Sequence, residues 1–589
     1  MANKINSNKK TNRYSKSTFD LAIKLCRKNI WLMLFTLLFS IVNTLIMMIP
    51  PAITKHLVDN EIDPSTGIKD MKRFTIIILL YLAMLIASGI ITYFKARQAR
   101  IFSNKIGYDL RKDFFSHATK LPMSFYDNTP VGKVTSRVVG DINEIQELFN
   151  TGIDAFLSTI LFIVGTIIYI AIIEPSAVVF LIIPIPLSII LTFIYNRFQV
   201  KPNIDYRKQK SQVTSDMNEI VKGTSTIQSF AVEEEALDEF KAKNEKLYGM
   251  GKKIEMLDSL LSYNVSNVLL QATNAFIILF FGFKFLNGEN NFTIGLMLLV
   301  IQYTSSIYEY IKRITSRLAI FEKGLSSMEH INEVLNKDVE NDSDIDIIDI
   351  KGEVEFRDIY HEYIKDVPVL KGISFKRPVG SSTALVGNTG SGKSSIISLI
   401  FKFYEPRSGK ILIDGNDIST LSLKSLRGNM AMVLQDPFLF KGTLRDNITL
   451  GEDFSDKEVI DALMLSGGSL ILDKLRHGLD TNLLGEDGGL SLGEKQIVNF
   501  ARTIIRDPKI LVLDEATASI DTETEKYIQE GINNLMKGRT TFIVAHRLST
   551  IKNCDQILVL DKGEIIESGS HDELMKLHGK YYELANSKS

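Results

Sequence analysis

Residues 387–394 read GNTGSGKS, matching G-x-x-x-x-G-K-[ST] between the β-type run STALV (382–386) and the helical run SSIISLIFKF (394–403). A strand, a glycine-rich turn and a helix start in that order bring successive backbone N–H groups and the positive end of a helix dipole to one point, which binds phosphate. The loop formed by Gly387, Asn388, Thr389, Gly390, Ser391, Gly392, Lys393, Ser394 and Ser395 is therefore predicted to cradle a nucleotide. Lys393 is placed at the β/γ-phosphates and the Ser394 hydroxyl on Mg²⁺.

A second run, ILVLDE (510–515), reads as a buried strand ending in two carboxylates. Asp514 suits the Mg²⁺ shell, and Glu515, one residue on, suits the polarisation of an attacking water. A strand ending in Asp-Glu is a weak signal alone and a strong one beside a phosphate loop.

These residues need a scaffold. From about Gly352 the chain alternates short β-type runs (VEFRDI, STALVG, KILIDG, MAMVLQ, KILVLDE, TTFIVAH, QILVLDKGEIIESG) with helical segments, which predicts an α/β domain with a largely parallel sheet over 352–589. Ahead of it, KDVENDSDIDIID is acidic and poor in large apolar residues, and 337–351 reads as a linker.

The first half, 1–336, is different in kind. Apolar runs at about 30–53, 74–94, 156–175, 177–195, 265–286 and 292–311 are each near the roughly 20 residues that cross a bilayer as a helix. Six spans predict an α-helical polytopic membrane domain. The segments 95–155 and 196–262 are helical in pattern with few Gly or Pro, so the membrane helices are expected to run on well past the bilayer. Turn chemistry in LPMSFYDNTPVGK (121–133) and VKGTSTIQSF (221–230) marks elbows near Phe125 and Gly223 that either contact a partner domain or simply reverse the chain.

The net charge of -1 hides an asymmetry: the N-terminal tail and 95–120 are rich in Lys and Arg, whereas EPSA (174–177) and NGENN (287–291) have none. The positive-inside rule then puts both termini and the α/β domain in the cytoplasm, with the chain in a cell membrane. The tail does not fit a cleavable signal peptide, being too long in its charged part. Trp31 stands where an interfacial anchor is expected. Cys26 and Cys554 follow no metal-ligand spacing and receive no role. Abundant Ile, Lys and Asn suggest an AT-rich bacterial genome.

With LSLGE (490–494) and AHRLST (545–550) in order after the phosphate loop, residues 352–589 resemble the nucleotide-binding domain of an ABC transporter, and the six spans resemble the exporter-type membrane domain of that family. The resemblance implies ATP and Mg²⁺ as ligands and ATP hydrolysis coupled to transport. It also implies that Tyr363, rather than Tyr360, stacks on adenine; that Gln435 senses the metal and meets the elbows; that His546 contacts the γ-phosphate; and that Asp521 faces a second subunit. One nucleotide-binding domain and one six-span bundle resemble a half-transporter, which works as a head-to-tail pair. Ser491 and Gly493 would then touch the ATP of the partner subunit.

The family's pentapeptide is usually LSGGQ. Here Leu492 adds a branched side chain, and Glu494 puts a negative charge near phosphates, a repulsion of about 1 kcal/mol at an effective dielectric near 20. An intact half-site beside a departing signature resembles one subunit of an asymmetric exporter, so a heterodimer is expected, with a homodimer as the alternative.

Asn264, Asn267, Gln271 and Asn274 fall on one arc of the fifth span, either lining a path for an amphipathic drug, lipid or peptide cargo or bonding between helices. Gln302 and Glu309 could join them, and a deep Glu309 would favour cationic cargo. Six fused spans speak against a soluble DNA-repair ATPase, and no nucleic-acid partner is expected. A fused chain speaks against an importer. An ATP-gated channel or regulatory ATPase without cargo stays open.

Overall fold

The computed structural model describes residues 16–63, 67–259, 264–287, 289, 292–347, 349–483, 489–514, 522–544 and 551–586. The chain divides into two compact units, Met1–Thr119 with Val131–Lys337, and Lys120–Pro130 with Asp338–Ser589.

The first unit is helical. Among the described residues, Ile30–Glu61, Met71–Ala118, Val131–Ile173, Asn267–Leu286 and Ile294–Leu335 are long and apolar enough to cross a membrane. The predicted span at 177–195 differs: a 3₁₀ turn at Pro175–Val178 and a short helix at Val179–Ile182 precede the long helix Pro184–Lys222, and the apolar part, Pro175–Leu191, is shorter than the others. Proline lacks the N–H that a continuing helix needs, so Pro184 and Pro186 favour a restart there. Six crossings are thus supported in outline, five plainly.

Met71–Ala118 has 48 residues, roughly 72 Å of helix, more than twice a hydrocarbon core of about 30 Å. Its apolar third faces outward: Ile76, Leu79, Leu80, Ile86 and Ile90 are exposed, a surface that lipid would cover. The inward faces carry polar pairs. Lys95 Nζ lies 2.9 Å from Asp154, whose other oxygen accepts the Ser40 hydroxyl at 2.6 Å. Asp59 accepts from Lys55, from the Thr293 hydroxyl and from the Gly295 N–H, fixing the start of the last long helix.

The second unit is α/β. Its six-stranded sheet runs Glu564–Gly569, Gln556–Asp561, Ser382–Val386, Thr540–Val544, Ile510–Asp514, Met430–Val433, parallel except at the first pair. Side chains alternate between two cores along these strands: Ala384 and Val386 join Leu511 and Leu513 on one side, whereas Leu385 joins Ile510 and Val512 on the other. Strands buried on both faces exclude charge, which is why STALV and ILVL hold only apolar side chains and the buried hydroxyls of Ser382 and Thr383. An antiparallel sheet of Val367–Arg377, Val354–Ile364, Ser408–Ile413 and Asn416–Asp417 completes the unit.

The acidic segment after Lys337 is strapped down rather than free. Glu340 grips the Arg427 guanidinium with both oxygens at 2.8 and 3.0 Å, Asp342 accepts the Leu423 N–H at 2.7 Å, and Ile347 bonds to Ser425 through its N–H and its carbonyl. The Leu423 N–H is the main cause holding the Asp342 carboxyl below its ordinary range. Its acidity serves local bonds that composition alone could not show.

Candidate functional site

The phosphate loop leaves the carboxyl end of Ser382–Val386, a strand buried at every residue, and enters the helix Lys393–Ile400. Gly392, at the helix N-cap, has φ +105°, and a Cβ there would lie 2.6 Å from Leu370 Cδ2. Only glycine takes that position without strain. Lys393 is buried and arches back, donating to the carbonyls of Gly387 at 2.8 Å and Asn388 at 2.9 Å. The Ser391 hydroxyl is buried with no protein partner among the described residues. A buried hydroxyl without a partner is costly, and a nucleotide phosphate beside it would remove the cost. The donor set fits the ligand that the motif implies.

The strand register sets where the second carboxylate falls. Val544 pairs with Leu385 on one side and with Asp514 on the other, so Leu385, Val544 and Asp514 stand in line across the sheet. Asp514 is then two strands, roughly 10 Å at the usual inter-strand spacing, from the strand that launches the loop. Val433 pairs with Leu513, so Gln435 follows the same edge two residues on, and it is exposed. Among the described residues no group of three or more His, Cys, Asp or Glu side chains could hold a metal. Mg²⁺ in a phosphate-loop site takes only one or two carboxylates besides phosphates, so Asp514 as the one carboxylate, with Ser394 and Gln435, remains a fitting set.

Glu515, Asp521 and His546 lie outside the described residues. In sequence Glu515 follows the strand end at Asp514, and His546 stands two residues beyond Val544.

Tyr363 donates its hydroxyl to Ser395 in the first turn of the loop's helix at 3.1 Å, while its ring is 46 % exposed and open to stacking. Edge-to-face contacts with His361 and Tyr404 hold the ring. Burial depresses the His361 imidazole and keeps it neutral. Tyr404 also donates to Asp127 in the elbow helix Met123–Asn128, which belongs to this unit. The elbow at Gly223 closes the helix Pro184–Lys222 within the first unit.

The signature segment opens the helix Leu492–Ile504. Ser491 caps it by accepting the Glu494 N–H at 3.2 Å, and Glu494 returns the favour to the Ser491 N–H at 2.6 Å. This reciprocal box follows from Ser and Glu three apart. Lys474 binds both Glu494 oxygens, at 3.0 and 2.9 Å, and the Gly489 carbonyl at 3.3 Å. Burial acts to raise the Glu494 carboxyl, but the Ser491 N–H and Lys474 outweigh it and hold it low. The negative charge expected at Glu494 is present, and Lys474 supplies a cation beside it that the sequence did not reveal. Gly493 is buried and Leu492 is exposed.

In the membrane unit, Asn267 and Gln271 are exposed and the Asn274 carboxamide oxygen is buried without a partner among the described residues; the Asn264 side chain lies outside the described ones. Gln302 is half-buried. Glu309 is exposed and sits 3.5 Å from Arg313, so a cation already stands beside it. Cys554 is inert, its thiol pushed up to about 12 by burial.

Sequence reasoning missed Lys474, Tyr404 and Asp127. Each acts on a residue 20 or more positions away, and no local spacing marks them.

A helical membrane unit joined to a phosphate-loop α/β unit defines a membrane-bound nucleotide-binding protein. Residues 33–309 match the family described as ABC transporter transmembrane region and 370–518 the family described as ABC transporter. The probable multidrug resistance ABC transporter ATP-binding/permease protein YheH of Bacillus subtilis (strain 168) is 37 % identical over 87 % of this chain and 77 % of its own length. The ATP-dependent lipid A-core flippase of Desulfotalea psychrophila is 32 % identical over 90 % of this chain and 93 % of its own. A fatty acid ABC transporter ATP-binding/permease protein of Mycobacterium tuberculosis is 30 % identical over 86 % of this chain and 80 % of its own. A bacterial Atm1-family ABC exporter with ATP bound superposes with TM-score 0.77 at 26 % identity, covering 96 % of this chain and 98 % of that one. The chain belongs to the ABC transporters, as a multi-pass membrane exporter whose ATP hydrolysis is coupled to transport.

Proposed function

We propose that this chain is one half of a dimeric exporter that moves an amphipathic drug, lipid or peptide across a bacterial cell membrane by alternating access, with its nucleotide-binding unit in the cytoplasm. The observation that carries the reading is the glycine-built phosphate loop, launched from a buried strand that stands in line with Asp514 across the sheet, in a chain whose apolar helices turn their side chains outward. Relatives named for multidrug, fatty acid and lipid A-core transport support an amphipathic cargo class.

In this reading the loop N–H groups and Lys393 hold the phosphates of ATP, Ser394, Asp514 and Gln435 hold Mg²⁺, and Tyr363 packs on the adenine. Mg²⁺, when bound, offsets phosphate charge. Glu515 orients the attacking water and His546 meets the γ-phosphate, while Ser491 and Gly493 serve the nucleotide of the second subunit. The elbows near Phe125 and Gly223 carry closure of the nucleotide-binding pair to the bundle.

The heterodimer expectation rested on two departures in the signature. With Glu494 neutralised by Lys474, Leu492 alone supports it, and the homodimer gains as the second reading. Mg-ATPase activity of the purified chain in lipid, with Glu515→Gln as control and the oligomeric state measured alongside, tests both. Glu515-dependent hydrolysis by a dimer of this chain alone would select the homodimer. A folded, ATP-binding but inactive protein would select a heterodimer, and hydrolysis unchanged in Glu515→Gln would overturn the assignment of the base.

A further inference from the structure

The ammonium of Lys474 meets three acceptor atoms in or directly before the signature segment: both oxygens of Glu494 and the carbonyl of Gly489, the residue that precedes it. The lysine stands at the end of the helix Ser469–Lys474, 20 residues before its carboxylate partner, and no nucleotide motif includes it. Glu494 has little freedom to respond otherwise. Its side chain is 14 % exposed, one oxygen is tied to the Ser491 N–H, and Lys474 is the one cation paired with it among the described residues.

The charges at this helix start follow. A helix N-terminus carries roughly half a positive charge, which suits an approaching phosphate. A carboxylate in the first turn cancels that field as seen from outside, and a triphosphate meeting it would be repelled. An ammonium under 3.1 Å from the carboxylate cancels the carboxylate in turn. The segment then presents its N–H groups and the Ser491 hydroxyl with the dipole intact, as a neutral glutamine would have allowed.

We propose that Lys474 is the positioning residue that makes a glutamate-bearing signature competent, neutralising Glu494 and pinning Gly489 so that Ser491 and the helix start face the nucleotide held by a second subunit. The pairing itself is independent of any partner, whereas its role in turnover rests on the dimeric exporter reading above.

The test compares Lys474→Met, Lys474→Arg, Glu494→Gln and the double variant Lys474→Met/Glu494→Gln in the full chain reconstituted in lipid. Hydrogen exchange is followed at 489–494 and at the phosphate loop, and Mg-ATP hydrolysis is measured alongside. Without nucleotide, Lys474→Met should speed exchange at 489–494 and leave the phosphate loop unchanged. With Mg-ATP, Lys474→Met should lower kcat about tenfold with KM little changed, because each subunit's own loop binds the nucleotide while the repelled signature slows closure.

The double variant should recover most of that loss, since the charge leaves with its partner, and Lys474→Arg should stay close to the parent. A lysine that merely braces the fold predicts a double variant as poor as the single one. Unchanged exchange in Lys474→Met, or a double variant no better than the single, overturns the proposal. If Mg-ATP protects the phosphate loop of the parent chain but neither protects 489–494 nor is hydrolysed, the pairing of like subunits fails. That outcome selects the heterodimer, and in this chain alone the Lys474 clamp is then judged by its nucleotide-free exchange.

Discussion

The phosphate loop and the signature segment both end at a helix start offered to phosphate, yet they manage charge in opposite ways. In the loop, glycines at positive φ open the backbone, and the cation, Lys393, is part of the loop and rests on its carbonyls. In the signature, the backbone is closed by its own side chains, Ser491 with Glu494, and the cation comes from a different helix and serves to silence a carboxylate. One region is built to seize charge and the other to present none. In the proposed dimer, a segment that meets a nucleotide bound by the other subunit would gain from being rigid and free of net side-chain charge until that meeting.

The sharpest way to break this contrast is Lys393→Met. Removing the cation from the loop should cut ATP hydrolysis by about a hundredfold or more, as for other lost transition-state donors, and near-normal turnover would show that the loop does not need its own charge. Next, Gly392→Ala forces a side chain into the left-handed region and against Leu370, a strain of about 1–3 kcal/mol. Nucleotide affinity should fall while the signature's exchange rates hold, and unaltered binding would deny that the loop depends on its glycines.

Ser491→Ala removes a cap worth about 1 kcal/mol. It should loosen the start of Leu492–Ile504 and slow turnover, with ATP affinity preserved; weakened affinity in the same subunit would blur the division of labour.

The smallest effect is a pH response. The folded Glu494 carboxyl is held low, so its pairing contributes above the ordinary carboxylate value of about 4.3 and is lost as pH falls through the lower folded value. Exchange protection at 491–494 should persist at pH 5 and fail only in more acid solution. Failure at or above pH 5 would show that Lys474 does not hold the carboxylate.

Much of this was written locally. STALV and ILVL carry no charge because both of their faces are buried, and the loop between strand and helix announces itself through glycine spacing. The long helices were legible from continuous apolar and helical pattern. The span at 177–195 was less so, because Pro184 and Pro186 are mild in composition and decisive in geometry. What the sequence concealed were partners distant along the chain. The charge on Glu494 was visible and Lys474 was not, since pairing across 20 residues depends on how one helix lies against another. The acidic stretch after Lys337 looked like a solvated tether for the same reason: Arg427, its main anchor, is 87 residues from Glu340.

The elbow helix Met123–Asn128 settles with a unit whose remainder begins only at Asp338. Its Asp127 waits for Tyr404, 277 residues downstream. During synthesis, at 5–20 residues per second, the elbow therefore emerges well before the tyrosine exists, and it must stay unpaired for some tens of seconds. A chain that stops short of Tyr404 lacks the hydroxyl that Asp127 accepts from, so the elbow's tie to the rest of its unit is one of the later bonds that synthesis makes possible.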